Sequence, residues 1–270
     1  MSLTIAPYHA GTFSTGPKHY PHSKSPEINP EQPATAHAHA TLVQQLEALN
    51  ELIKKLVERA TPTVAPSENA QRYLSSVAPG VKPRDIWRGF WQGSQGNCVT
   101  VSAIKAAMAK YGHNPHGIYK HIKQTQDGFD VTMRDSRKLH VSFDELTQAA
   151  NGSDFEGDDS EVKKDAIFLY AVSAKRAQLE NNQGTAKHSF QHAMDSLNNG
   201  EFPGDALKRL GLYAHRRWAS PAQLEKGTIG TVADAQHSVA VIDGYADVYG
   251  NKVKLSESGY QRARQVLILV

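Results

Sequence analysis

The first clear pattern of apolar positions lies between residues 41 and 60, TLVQQLEALNELIKKLVERA. Leucine and isoleucine recur at alternating steps of four and three, which places them on one face of a helix. These residues are Leu42, Leu46, Leu49, Ile53 and Leu56. Thr41 is a suitable N-cap and Pro62 lies beyond the end, so the pattern predicts a helix over residues 41–60. Such a stripe favours a short coiled coil, a helix that binds a partner or chaperone, or a helix packed on the protein's own domain.

The residues on either side of this helix have a different composition. Residues 1–40 are rich in Pro, His, Ser, Thr and Ala, and they contain too few large aliphatic side chains to offset the entropy of ordering. We therefore expect a disordered tail over 1–40, a helix and linker over 41–67, and a folded domain over 68–270. His37 and His39 resemble a weak metal site, but we expect solvated side chains because structural zinc needs four convergent ligands.

The folded domain changes its period from helical to strand-like along its length. Helical patterns cover residues 98–110, 143–150, 161–182, 185–198 and 204–210, and Ser142 with Glu145 forms a capping box. Short strands are predicted at 128–133, 139–142, 228–232, 237–242, 252–255 and 265–270. Helices followed by an antiparallel sheet predict an α+β fold.

Composition and charge exclude several classes of protein. Hydrophobic residues make up 39% and charged residues 21% of the chain, and the net charge of +3 is too small to indicate a nucleic-acid partner. No apolar run approaches the length of a membrane span. One cysteine excludes an internal disulfide framework, and the N-terminus lacks the pattern of a Sec signal peptide. We expect a cytoplasmic protein or one secreted by a route without that signal.

An acidic stretch over residues 151–160, NGSDFEGDDS, is a candidate calcium loop. An EF-hand loop needs glycine at its sixth position, and counting from Asp154 that position is Asp159. The pattern therefore fails, and we expect a solvated acidic loop. No metal or cofactor is predicted.

Several candidate catalytic residues lie in residues 91–108, WQGSQGNCVTVSAIKAAM, which contain the only cysteine. Cys98 precedes an apolar helical pattern, so it lies on the first turn of a helix, where the helix dipole favours the reactive thiolate. Gln92 stands six residues earlier, and a side-chain amide there is a candidate donor to an oxyanion. Gly93 and Gly96, which lie between Gln92 and Cys98, allow tight turns in this loop. The alternative is that Cys98 is a small core residue.

This segment resembles the active-site segment of papain-like cysteine peptidases, and of calpains in particular, Gln-Gly-x-x-Gly-x-Cys before the central helix. Gln92, Gly93, Gly96, Asn97 and Cys98 match, whereas Val99 stands where both families usually carry Trp. The Ser/Thr/Pro-rich start separately resembles the export region of bacterial type III secreted effectors. The papain-like resemblance implies a Cys-bearing helix packed against an antiparallel sheet, and activity without a cofactor. Calpains need calcium, but no segment here is predicted to bind it.

His237 is the expected partner of the thiol. It opens an apolar strand, and residues 236–245, QHSVAVIDGY, resemble the histidine strand of the same family. An imidazole in reach would stabilise the thiolate and then protonate the leaving group. We expect His188, His192 and His215 to be surface residues, whereas His113, His116, His121 and His140 lie in turns or at strand edges.

The resemblance also implies an Asn or Asp on the next strand that orients the imidazole. A chain reversal over residues 246–251 would put Glu257 at that position, on the returning strand with Val253 and Leu255. Asp243 lies about 20 Å from His237 along an extended strand, which is too far for contact. Asp247 and Asn251 are predicted to be turn residues. Glu257 is therefore the third candidate, although Glu departs from the family pattern.

These residues together predict a hydrolase in which the Cys98 thiolate attacks an amide carbonyl of a protein or peptide. The oxyanion would bind the Cys98 backbone N–H and the Gln92 side chain. The same apparatus can deamidate glutamine or carry out transglutamination. The third interpretation is a non-catalytic interaction protein that docks a partner through residues 41–60.

Overall fold

A computed structural model describes residues 34–60 and 68–270 of the chain. The chain divides between residues 63 and 64 into two units. Within the described ranges, no helix has both the length and the apolar character needed to cross a membrane.

The first unit contains one long helix, α1 (Ala34–Ala60). The helix begins at Ala34 instead of Thr41, so Thr41 is not its N-cap and residues 34–40 are not part of a disordered tail. Alanine has the highest helix propensity, and every second residue from Ala34 to Ala40 is alanine, which explains the earlier start. Leu42, Leu46 and Leu49 are each about half exposed in α1. The rest of the predicted tail, residues 1–33, and the linker at 61–67 lie outside the described residues.

The second unit mixes helices and strands, as the α+β prediction requires. Its helices are α2 (Glu68–Tyr73), α3 (Cys98–Tyr111), α4 (Pro115–Ile118), α5 (Phe143–Gly152), α6 (Ser160–Leu179), α7 (Phe190–Asp195), α8 (Pro203–Arg209) and α9 (Pro221–Glu225). Its strands are β1 (Trp91–Gln92), β2 (His121–Gln124), β3 (Gly128–Thr132), β4 (Lys138–Ser142), β5 (Phe155–Glu156), β6 (Arg216–Trp218), β7 (Gly230–Ala233), β8 (Ser238–Ile242), β9 (Tyr245–Val248), β10 (Asn251–Lys254) and β11 (Gln265–Leu269).

The strands form three antiparallel sheets, and the largest carries the residues of interest. Its six strands lie in the order β10-β9-β8-β7-β11-β6. The strands β2, β3 and β4 form a second sheet, and β1 pairs with β5 in a third.

Helix α3 packs on the large sheet at β8. It is buried from Cys98 to Ala109, and small side chains such as Ala103, Ala106 and Ala107 allow neighbouring elements to approach closely. A hydrogen bond of 2.8 Å between Ser102 Oγ of α3 and Ser238 Oγ of β8 marks the contact. The predicted packing of a Cys-bearing helix against an antiparallel sheet is present.

Apolar side chains fill two cores. The larger core contains α3 and α6 together with the three-stranded sheet. The smaller core includes Val239 and Val241 of β8, which pack with Leu224, Leu255 and Ile268. Successive side chains of a strand point to opposite faces, so β8 separates this smaller core from α3.

Several helix boundaries differ from the predictions. The Ser142–Glu145 capping box is confirmed at the start of α5. The helix predicted over 185–198 is broken, because 3-10 turns at Asn182–Gly184 and Ala186–His188 precede the short α7. Ser189 caps α7 by accepting a hydrogen bond from His192 N. A serine side chain that bonds to the backbone in this way starts a new helix and interrupts the pattern.

The chain reverses within residues 246–251 as predicted, but residues 246–248 belong to a strand and not to the loop. Residues 245–248 form β9, which pairs with both β8 and β10. The turns lie at Asp243-Gly244 and Tyr249-Gly250, where all four residues have positive φ between 48° and 81°. Two consecutive residues of this kind form the type I′ turn that suits a tight hairpin.

Candidate active site

Cys98 is the first residue of α3 and is 9% exposed. The side chain of Asn97, the residue before this helix, makes no capping hydrogen bond at the helix N-terminus. Asn97, immediately before the cysteine, is buried and donates from Nδ2 to Ser153 O at 2.8 Å. The thiol is therefore held by a fixed backbone at an uncapped helix start.

The loop before Cys98 is fixed by the acidic stretch that was predicted to be solvated. Asp154 Oδ2 accepts from Ser94 N at 2.7 Å and from Ser94 Oγ at 2.6 Å, and Asp154 O accepts from Gly93 N at 3.0 Å. These bonds lower the pKa of the Asp154 carboxyl. Asp159 caps α6. The acidic stretch thus supports the loop before Cys98 and the start of α6.

The two glycines of the loop serve close packing. A Cβ on Gly93 would lie 2.3 Å from Asp154 O, and a Cβ on Gly96 would lie 2.5 Å from Asn198 O. Neither glycine has a positive φ, so close packing and not a left-handed backbone conformation is the reason for glycine at these positions. Gly96 also forms an isolated parallel bridge with Asn199, which brings the segment after Asn199 close to Cys98.

His237 lies in the turn that precedes β8 and does not open the strand itself. Asp234 Oδ1 accepts hydrogen bonds from the backbone N–H groups of Gln236 and His237, both at 2.8 Å. The imidazole stacks on the Tyr249 ring, with centroids 4.9 Å apart and an interplanar angle of 14°. The backbone of His237 is therefore fixed as expected, by a side-chain carboxylate instead of a strand.

Cys98 and His237 line the same cavity, which has a volume of about 310 Å³. The other lining residues are Val99, Gly200, Glu201, Pro203, Ala233, Asp234, Ala235, Gln236, Ser238 and Gln265. Among the described residues, no hydrogen bond joins the His237 ring to the Cys98 sulfur. The ring stacks on Tyr249 instead.

Burial sets the protonation state of both groups. It raises the pKa of the Cys98 thiol, although the backbone N–H groups of Ser238, Val99 and Cys98 act in the opposite direction. Burial lowers the pKa of His237, and the nearby Asp234 carboxylate partly offsets this. Desolvation disfavours the charged form of each group, so burial favours a neutral thiol and a neutral imidazole in this cavity. The helix N-terminus does not produce the lowered thiol pKa that the sequence predicted.

Gln92 lies at the end of β1 and is not among the residues that line the Cys98 cavity. Its side-chain amide donates to the Gln95 carbonyl. It lines instead a cavity of about 10 Å³ together with His237, Asp247 and Tyr249. Gln92 is thus near the imidazole, with its amide already engaged.

The structure does not bring Glu257 to the site. Strand β10 ends at Lys254, and Glu257 lies in a 3-10 turn over Leu255–Glu257. Its side chain is 65% exposed and pairs with Lys254 at 3.4 Å. The prediction of a strand through residue 257 was wrong because the turn after Lys254 rotates the chain out of the sheet.

Asp247 occupies the position that was expected of Glu257. It lies on β9, the neighbour of β8, and its side chain is 6% exposed. Its Oδ2 pairs at 2.7 Å with Nζ of Lys105, which is fully buried in α3, whereas its Oδ1 is buried without a partner. Burial raises the pKa of the Asp247 carboxyl, and the Lys105 ammonium opposes this shift. The Asp243-Gly244 pair is the sequence signal that would have placed Asp247 on a strand.

The other histidines of the second unit do not line the cavity. His113 is buried and its Nδ1 lies 2.7 Å from Asp165 Oδ2, which satisfies it within the core. The rings of His188 and His192 meet edge to face, with an interplanar angle of 71°, and none of these three histidines lines the Cys98 cavity. Among the described residues, no group of three or more His, Cys, Asp or Glu side chains is arranged to hold a metal ion.

A scan against protein-family models and searches of curated proteins and of solved structures each found no match to this chain. The papain-like resemblance therefore depends on the sequence motifs around Cys98 and His237.

Proposed function

We propose that the chain is a cysteine-dependent hydrolase of papain-like fold that cleaves amide bonds in proteins or peptides. The observation that carries the proposal is that Cys98, at the uncapped start of a buried helix, and His237, before the strand that this helix packs on, line one cavity. A nucleophile and a base on one cleft wall are the minimum that acyl transfer requires.

The pKa directions favour general-base catalysis over a preformed ion pair. The neutral imidazole of His237 accepts the thiol proton as the Cys98 sulfur attacks the carbonyl carbon of the substrate. The imidazolium then donates that proton to the leaving amine, and water hydrolyses the thioester. To reach the sulfur, His237 rotates about its side-chain torsions and leaves the stack on Tyr249, which costs about 0.5–1.5 kcal/mol.

The oxyanion is stabilised by backbone N–H groups at the start of α3, where the Asn97 side chain makes no capping hydrogen bond. Gln92 provides a second donor once its amide leaves the Gln95 carbonyl. These donors act on the charge that develops in the transition state.

Asp247 replaces Glu257 as the residue that positions the imidazole. Its unpartnered Oδ1 is buried and Asp247 lines the same small cavity as His237. A cavity of about 10 Å³ is near the lower limit for one water molecule. The contact between the carboxylate and the imidazole is direct after rotation, or passes through that water.

Mass spectrometry of a peptide library tests the reaction. The wild-type protein is expected to generate new peptide termini, and Cys98→Ala is expected to generate none. A gain of about one dalton on glutamine residues, without new termini, would instead show deamidation on the same apparatus. If the two proteins give identical spectra, the hydrolase proposal is wrong and a binding role remains.

A further inference from the structure

The cavity that contains Cys98 has an uneven charge. Two carboxylate residues line it, Asp234 and Glu201, and two primary amides, Gln236 and Gln265. In the described chain, no lysine or arginine lines it. A charged group that enters the cavity therefore meets acidic and neutral side chains.

Asp234 supplies the fixed negative charge. Its Oδ1 accepts the backbone N–H groups of Gln236 and His237, and these bonds lower the pKa of the carboxyl. The residue is exposed, so its charge is available at the cavity wall. The same hydrogen bonds fix the carboxylate on the turn that carries His237.

Glu201 contributes less to this charge. Its carboxylate is buried, pairs with Arg209 and accepts from Asn182 Nδ2 at 3.1 Å. Burial raises the pKa of Glu201 to about 7, so it is only partly ionised near neutral pH. Gly200, Ala233 and Ala235 add little bulk to the wall and leave space near Asp234.

We propose that this cavity selects substrates with a cationic side chain, lysine or arginine, next to the amide that Cys98 attacks, and that Asp234 determines the preference. This preference deepens the proposed function and rests on it, because a substrate exists only if the chain is a hydrolase. The charge preference of the cavity itself is measurable without any turnover.

Labelling of Cys98 provides that measurement, because it is the only cysteine and every adduct on it is unambiguous. Three methanethiosulfonates carry a neutral methyl, a cationic trimethylammonioethyl or an anionic sulfonatoethyl group. In each reaction the thiolate attacks the sulfenyl sulfur, the new disulfide forms and methanesulfinate leaves with the bonding pair. Rates are followed by intact mass and divided by those of the urea-unfolded protein, which removes the intrinsic reactivity of each reagent.

The expected result is that the cationic reagent labels the folded protein about five to ten times faster than the anionic one, after this correction. Asp234→Asn should reduce that ratio about fivefold, because asparagine keeps the Oδ1 acceptor of the turn and removes only the charge. Asp144→Asn is the matched control, since Asp144 is exposed on α5 and does not line the cavity, and it should leave the ratio unchanged.

The outcomes separate the two proposals. An equal ratio in wild type and Asp234→Asn, with normal labelling by the methyl reagent, overturns the charge preference and leaves the hydrolase proposal intact. A shifted ratio in a protein that yields no products in the peptide library supports the cavity preference and contradicts the hydrolase. Failure of the methyl reagent to label folded protein closes the cavity to ligands and overturns both.

Discussion

Burial raises the pKa of Cys98 and lowers the pKa of His237, so it favours the neutral form of both side chains. A helix N-terminus stabilises a thiolate by at most a few kcal/mol, and desolvation opposes it. In the sequence only the helix position is visible. The degree of burial depends on residues far along the chain, so the sign of the pKa shift of Cys98 could not be predicted.

Alkylation of Cys98 by iodoacetamide checks this sign. Because the thiol pKa is above its ordinary value, the thiolate fraction and hence the rate should rise steadily with pH and show no plateau near pH 6. The urea-unfolded protein is the control, since it holds the same thiol without burial, and it should react faster at every pH below its own pKa. A fast rate that is independent of pH between 5 and 7 would contradict the neutral pair and indicate a preformed thiolate–imidazolium pair.

Variants of the buried Lys105–Asp247 pair distinguish an effect on stability from an effect on catalysis. Removing one partner leaves an uncompensated buried charge, so Lys105→Met or Asp247→Asn should each lower the free energy of unfolding by about 3 kcal/mol or more. The double variant should recover most of the loss, because no unpaired charge remains. Urea denaturation measures all four proteins.

Peptide turnover by the same proteins tests the positioning role of Asp247. If Asp247 positions His237, the double variant regains stability but stays slow, whereas a purely structural role predicts that turnover returns with stability. Equal turnover in the double variant and the wild type would remove Asp247 from the mechanism.

At the scale of elements, the helices α3 and α5 were predicted correctly because their signals lie within a few residues of each other. The Ser142–Glu145 capping box and the apolar pattern after Cys98 gave correct helices, since caps and periodicity act within a few residues. The strand β9 was missed although Asp243-Gly244 is a strong hairpin signal. The pairing of Asp154 with Ser94, and of Asp247 with Lys105, joins residues distant in sequence, and no local pattern contains that information.

The close packing of the Cys98 loop gives a prediction at this scale. A Cβ on Gly96 would lie 2.5 Å from the Asn198 carbonyl oxygen, a backbone atom, so Gly96→Ala should cost about 1–3 kcal/mol and shift the loop. A displacement of about 1 Å at Cys98 would lower turnover about 10²-fold. Thermal unfolding and peptide turnover measure the two effects.

Gly152→Ala is the matched control for this substitution. Its Cβ would meet the flexible end of the Met194 side chain at 3.1 Å, so we expect a change within about 0.5 kcal/mol and unaltered turnover. If Gly96→Ala behaves like Gly152→Ala, the loop is not held by close packing.

At the scale of the whole molecule, the second unit contains both apolar cores and the candidate site. Removal of residues 1–63 should therefore leave the rest folded, with a melting temperature within about 2 °C of the full chain and the same peptide turnover. Differential scanning calorimetry of both proteins checks this. A large drop in melting temperature would show that α1 stabilises the second unit.

The central claim is that Cys98 and His237 act together on an amide, and the turnover of His237→Ala tests it most directly. General-base catalysis typically raises a rate by about 10² to 10⁴, so we expect turnover to fall by that factor relative to the wild type. Cys98→Ala is the inactive reference. His121→Ala is the control, because His121 is exposed on β2 and lines neither cavity, and it should keep full activity. Full activity in His237→Ala, or products from Cys98→Ala, would contradict the account.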